Sequence, residues 1–164
     1  MFKSGNKLSS FLCLQLIACS LQLFSCNTID LYEKVMPVPK QQWQSSFKPS
    51  FTFNVKDTAA AYQLYFIVRH NNQYRFNNIW INLTAKGPAD SAQTFRLELP
   101  LANKEGWLGV GMDDIYEDRV AFALDPEKFR LNRSGDYTFT LQQVMREDPL
   151  ANVMDVGIRI EKKQ

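Results

Sequence analysis

The side chains that could do chemistry are few. The chain has one histidine, His70, which could serve as a general base. It stands beside Asn71 and Asn72 in what reads as a hairpin loop, where a solvated, chemically idle ring is the expected alternative. Nothing resembling a nucleophile elbow accompanies it. Asp113, Asp114, Glu117 and Asp118 form an acidic cluster behind Gly109 and Gly111. A calcium site needs several oxygens converging on one point, and a glycosidase needs two carboxylates flanking a groove. On a strand, the adjacent Asp113 and Asp114 would point to opposite faces, which favours solvation or structure. Trp107, among Gly106, Gly109 and Gly111, could stack on a sugar ring or a partner, or plug one end of a fold. Trp80 and Tyr116 carry the same two readings.

The three cysteines are Cys13, Cys19 and Cys26, all near the N-terminus. Lys3 and Lys7 precede a mostly apolar run from Leu8 to Phe24, with no acid before Asp30. That is the layout of a cleaved secretory signal. The run is shorter and more interrupted than the roughly 20 apolar residues of a membrane span. Leu23-Phe24-Ser25-Cys26 reads as a lipobox, and Leu16-Ile17-Ala18-Cys19 fits the same pattern. Cleavage at Cys19 would leave Leu21, Leu23 and Phe24 exposed on the mature N-terminus, so Cys26 is the expected lipidation site. The mature protein then has no free thiol for a disulfide, a nucleophile or a metal site.

The chain carries 19 basic and 17 acidic residues, and loss of Lys3 and Lys7 leaves 17 of each. A near-neutral mature protein lacks the basic face of a nucleic-acid binder. Its 139 residues suffice for one core. Residues 26–50 read as a lipidated tether and entry segment, in which Pro37, Pro39 and Pro49 oppose a long helix and Trp43 and Phe47 dock on the domain. Residues 51–164 alternate apolar and polar at period two in seven runs. These centre on Phe53, Leu64–Val68, Ile79–Leu83, Phe95–Leu99, Val120–Leu124, Tyr137–Leu141 and Val156–Ile160. Turn signals separate them. The pattern predicts an all-β fold, an antiparallel, jelly-roll-like β-sandwich of seven to eight strands. One short helix is expected over Pro126–Leu131, with Asp125 as its cap.

Several blocks in order resemble the gliding-motility lipoprotein H family of Bacteroidetes, GldH. They are Cys26, Tyr32 and Trp43, then Leu64–Arg69 with Tyr74, Asn77 and Asn78. The most specific is Gly106-Trp107-Leu108-Gly109-Val110-Gly111 with Asp113. Phe129, Gly135-Asp136-Tyr137, Gln143-Val144-Met145-Arg146, Leu150 and Asp155-Val156-Gly157-Ile158-Arg159 follow. Met112 departs from the pattern, where a glycine is expected before the acid.

The resemblance implies a non-enzymatic envelope lipoprotein for gliding motility, linked to type IX secretion and without cofactor, metal or catalytic residues. Some members occur in bacteria that do not glide. It implies an outer-membrane anchor through diacylglycerol and acyl chains on Cys26, with other gliding or secretion proteins as partners. Only one acid follows Cys26 in Asn27-Thr28-Ile29-Asp30, so the domain is expected to face the periplasm. Asp57-Thr58-Ala59 and Asp90-Ser91-Ala92 match the O-glycosylation pattern of that phylum, making Thr58 and Ser91 candidates. A carbohydrate-binding module using Trp107, Trp80 or Tyr116 is the competing reading.

Overall fold

The computed structural model describes residues 31–126 and 129–163. The expected signal peptide, the rival Cys19 and the lipid site Cys26 lie outside the described residues. Strands follow one another along the chain: β1 Leu31–Pro37, β2 Gln42–Trp43, β3 Ser50–Val55, β4 Tyr62–Asn71, β5 Asn78–Lys86, β6 Gln93–Pro100 and β7 Ala102–Asn103. Then come β8 Gly106–Trp107, β9 Val110–Met112, β10 Ile115–Ala121, β11 Gly135–Gln143, β12 Leu150–Ala151 and β13 Val153–Lys162. Five strands form one sheet in the order β1-β13-β4-β10-β9, and four form a second in the order β3-β11-β5-β6. All pairings are antiparallel. The expected all-β antiparallel sandwich is the fold observed.

Period-two alternation builds the core. Phe51, Phe53 and Val55 of β3 are buried while Thr52 and Asn54 are exposed. Tyr137, Phe139 and Leu141 of β11 face the same interior. Phe53 stacks on Tyr137 at 5.8 Å and meets Phe139 edge-on at 5.1 Å, the preferred aromatic geometries. On the water face Asn54 Nδ2 donates to Asp136 Oδ1 at 2.8 Å, and the Thr52 and Thr138 hydroxyls are 3.0 Å apart.

Three expectations need correction. The folded unit does not wait until residue 51, because β1 pairs along its whole length with β13, from Leu31 opposite Glu161 to Pro37 opposite Asp155. Trp43, completely buried, and Phe47, packed against the core, do dock as expected. The fifth strand covers 115–121 rather than Val120–Leu124; Phe122 is buried just beyond its end. No helix is seen over the described part of 126–131. Phe129 N donates to Asp125 O at 3.0 Å, a single turn, and residues 127 and 128 lie outside the described residues. The expected seven to eight strands match the eight long ones, and among the described residues five strands of two or three residues add to them.

Register sorts the loops into two poles. Leu31 opposite Glu161, Tyr62 opposite Lys162 and Gly135 opposite Val55 put the start of β1 at one end. Loops 56–61 and 87–92 and the described residues of the connection from 122 to 134 share this entry pole. The far pole holds loops 72–77, 101–109, 113–114 and 144–149.

Gly157 lets β1 close on β13. A Cβ there would lie 2.4 Å from Lys34 O and 2.5 Å from Val35 Cγ1. Gly157→Ala is therefore expected to destabilise the domain by about 1–3 kcal/mol, read as a lower midpoint in urea denaturation. An unchanged midpoint would mean that β1 does not press on β13.

Candidate functional site

The far pole is closed by a cap built on β4 and β10. His70 ends the inward row Leu64, Phe66, Val68 on β4 and stands directly opposite Tyr116 of β10. It is not the loop residue expected from Asn71-Asn72. The strand runs through Asn71, and the turn begins one residue later, with Asn71 Oδ1 accepting from Gln73 N at 2.9 Å. The ring is 0% exposed and Asp118, two residues beyond Tyr116 on the same face, is 2% exposed.

His70 Nδ1 lies 2.9 Å from the Asn71 carbonyl, and Nε2 lies 3.1 Å from Asp118 Oδ2. A carbonyl can only accept, so Nδ1 carries a proton. One further proton bridges Nε2 and the carboxyl, whichever atom holds it. Three rings surround the imidazole: Trp107 edge-on at 4.5 Å, Tyr74 at 5.1 Å and Tyr116 stacked at 5.6 Å. Tyr74 donates its hydroxyl to Asn78 O at 3.0 Å. Burial, and then the charge of Glu147, pushes that phenol well above its ordinary value, so it remains a donor.

The glycine block is the lid over this pair. Gly106 has φ +125° at the β7–β8 turn, a conformation that suits glycine. A Cβ on Gly109 would lie 2.6 Å from Glu117 O and 2.8 Å from the Asp118 carboxyl. A Cβ on Gly111 would lie 2.6 Å from the Tyr116 ring. Both positions need hydrogen because the backbone rides directly on the buried cluster. Met112 does not disturb this path, since the positive φ angles fall on Asp113 (51°) and Asp114 (63°). Those two residues form the β9–β10 turn rather than part of a strand.

The four acids diverge. Asp113 and Asp114 sit in the turn, Asp118 points inward, and Glu117 points outward. Glu117 accepts from Arg69 at 2.8 Å and Arg119 at 3.0 Å. The Arg69 hydrogen bond is the main cause that holds its carboxyl below the usual 4.5. Arg69 also reaches Asp155 at 3.1 Å. Among the described residues, no three His, Cys, Asp or Glu side chains converge as a metal site would require.

Trp107 and Tyr116 meet at 5.7 Å, so the structure brings these two predicted residues together beneath the lid. Trp80 is elsewhere, half-buried on the outer face of the four-stranded sheet with the Arg96 guanidinium 5.1 Å over its ring. Thr58 and Ser91 are exposed in entry-pole loops. Beside them, the Asp57 carboxyl is lowered first by Lys162 and then by the Ala59 and Ala60 N–H groups.

The outer side of the lid is apolar. Leu108 is 52% exposed, Val110 83% and Met112 76%; Val35 is the one other large apolar side chain so exposed among the described residues. With Ile115 and Met154 they rim an open cleft of about 830 Å³ whose other side carries the paired Arg69, Glu117 and Arg119. Sequence patterning does not show this cluster, because β9 has three residues and its apolar positions face water. The recurring glycines are the signal that marks it.

The His70–Asp118 pair is expected to hold the cap. His70→Ala or Asp118→Ala alone should cost about 3–5 kcal/mol, since each leaves a buried polar partner unmatched. The double variant should cost less than the sum of the two. Guanidinium denaturation of all four proteins measures the coupling; additive losses would deny the bond a role.

A family model described as GldH lipoprotein matches residues 30–160. A gliding motility lipoprotein GldH from Flavobacterium johnsoniae is 30% identical over 156 residues, covering 90% of this chain and 94% of that protein. A gliding motility lipoprotein GldH homolog from Christiangramia forsetii is 28% identical over 146 residues, covering 84% and 87%. Among solved structures, the Cry4Aa toxin from Bacillus thuringiensis aligns over 80% of this chain and 21% of its own, with 16% identity and a TM-score of 0.33. The VP2 subviral particle of infectious bursal disease virus aligns over 84% and 34%, with 10% identity and a TM-score of 0.35. With a family model spanning most of the sequence and full-length relatives on both sides of it, the chain belongs to the GldH lipoprotein family.

Proposed function

We propose that this protein is a lipid-anchored, non-enzymatic docking component of envelope machinery for gliding or secretion, and that it engages its partner through the far-pole lid. The observation that carries the reading is the concentration of exposed apolar side chains on one segment. Leu108, Val110 and Met112 stand together, and among the described residues no strand pairs with the open side of β9. An exposed apolar edge invites strand addition. The occupant is an extended segment of a partner protein that pairs with β9 and rests alternate apolar side chains on Val110 and Met112. Trp107 and Tyr116 act beneath this surface as supports. Their rings pack on His70, which favours docking over a stacked sugar.

Cys26 supplies the anchor. The lipidated protein sits on the outer membrane with its domain in the periplasm, and β1 begins five residues after that cysteine. Cys26→Ser should leave an unprocessed precursor or a soluble protein, without incorporated labelled fatty acid. A variant that still takes up the label would move the lipid site to another residue.

Val110→Glu with Met112→Glu should abolish recovery of motility or secretion proteins in pull-downs of the tagged protein from detergent-solubilised native envelopes. The midpoint of unfolding should be unchanged, since both side chains are exposed. Undiminished recovery by the folded double variant would reject the lid as the docking face.

A further inference from the structure

The entry pole contains a cavity that the docking role does not use. It has a volume of about 430 Å³ and lies at the start of β4, between the loop before that strand and the segment after β10, within the range of roughly 300–1,000 Å³ typical of small-molecule sites. Leu64, Phe122, Phe129 and Leu131 form apolar walls, and Arg130 and Lys163 stand at its edge. Both cations are exposed. Arg130 Nε donates to Pro126 O at 2.6 Å. Among the described residues, no aspartate or glutamate lines it. A pocket with apolar walls, and with Arg130 and Lys163 as the charged side chains among its described lining residues, suits a molecule with a hydrocarbon part and an anionic head.

Chain geometry says where such a molecule would come from. β1 starts at this same pole, with Leu31 opposite Glu161, and Lys163 N donates to Ala61 O at 2.8 Å beside the cavity. From Cys26 to Leu31 the chain advances five residues, a reach of at most roughly 18 Å when fully extended. With the lipid on Cys26, the cavity is held within reach of the headgroup layer. We infer that it takes one acyl chain of an anionic phospholipid from the adjoining leaflet, with the phosphate held by Arg130 and Lys163. This inference rests on the anchor reading above, and it makes the bilayer a second, non-covalent ligand that fixes how the domain stands on the membrane.

The test uses the full-length lipidated protein in vesicles of phosphatidylethanolamine, with and without phosphatidylglycerol carrying a diazirine on one acyl chain. Illumination should place adducts on peptides covering Thr58–Leu64 and Phe122–Asn132. Ala60→Trp, which fills the cavity edge, should remove them. Arg130→Glu with Lys163→Glu, at two exposed positions, should lower them about thirtyfold, since each basic residue near an anionic surface contributes about 1 kcal/mol. Adducts elsewhere, or unchanged adducts in these folded variants, would overturn the proposal. So would cross-links from diazirine chains incorporated metabolically on Cys26 itself, which would make the occupant the protein's own lipid. Failure of the anchor reading looks different: the protein would not float with the vesicles at all.

Discussion

The antiparallel pairing of β13 between β1 and β4 is the constraint on which the rest depends. The last strand of the chain joins the first strand to the centre of the sheet, in register from Leu31–Glu161 on one side and Lys162–Tyr62 on the other. That bond pattern fixes the pole at which the chain enters. Because side chains alternate along a strand, a one-residue slip would turn an entire row outward. The row Val156, Ile158, Ile160 would leave the core, and Arg69 would lose Asp155. Gly157 is part of the same constraint, since only hydrogen fits below the Lys34 carbonyl.

Register also explains why the far pole can hold a buried polar pair. His70 continues an inward row whose other members are apolar, so its ring is carried into the interior by the strand's own period. A buried imidazole needs partners for both nitrogens. The Asn71 carbonyl satisfies one, and Asp118, brought alongside by β10, satisfies the other. The cost of burying the two groups is then offset by their mutual bond and by three aromatic neighbours. The glycines of the lid follow as a steric consequence, because no Cβ can pass over Asp118 and Tyr116 at those distances.

Legibility in the sequence followed burial. β3, β5, β6 and β11 alternate cleanly because one face is core and the other water, and their runs read as strands; β13 reads as one through its apolar row Val156, Ile158, Ile160. β1 was not, since Glu33, Lys34 and Val35 are all exposed and the period is blurred at a sheet edge. His70 was misread because its neighbours Asn71 and Asn72 signal a turn, while the bond that decides its place comes from Asp118, 48 residues away. Local pattern has no access to such a partner. The glycine block was visible as unusual, although its reason, close approach to a buried carboxyl, required the fold. Gln143 is similar: its side chain accepts from Met145 N at 2.8 Å and donates to Trp43 O at 3.2 Å, fastening a loop to a strand 100 residues distant.

The two poles differ in the chemistry they leave open, and the difference bears on how a tethered protein can work. Charges on the outer face of the five-stranded sheet are largely matched, with Arg69, Arg119 and Arg159 paired to Glu117, Asp155, Glu33 and Glu161. Such exposed pairs add little stability, but they leave that face with little unpaired charge to recruit a partner. What stays unmatched is an apolar lid at one end and a cation-edged apolar cavity at the other. The tether proposed above, at the cavity end, would remove that pole from solution and turn the lid away from the membrane. Docking at the lid then requires no change in the core, because the His70–Asp118 pair already fixes the backbone from beneath. On the proposed reading, partner binding and membrane attachment would act on opposite ends of one register, with β4, β10 and β13 running between them.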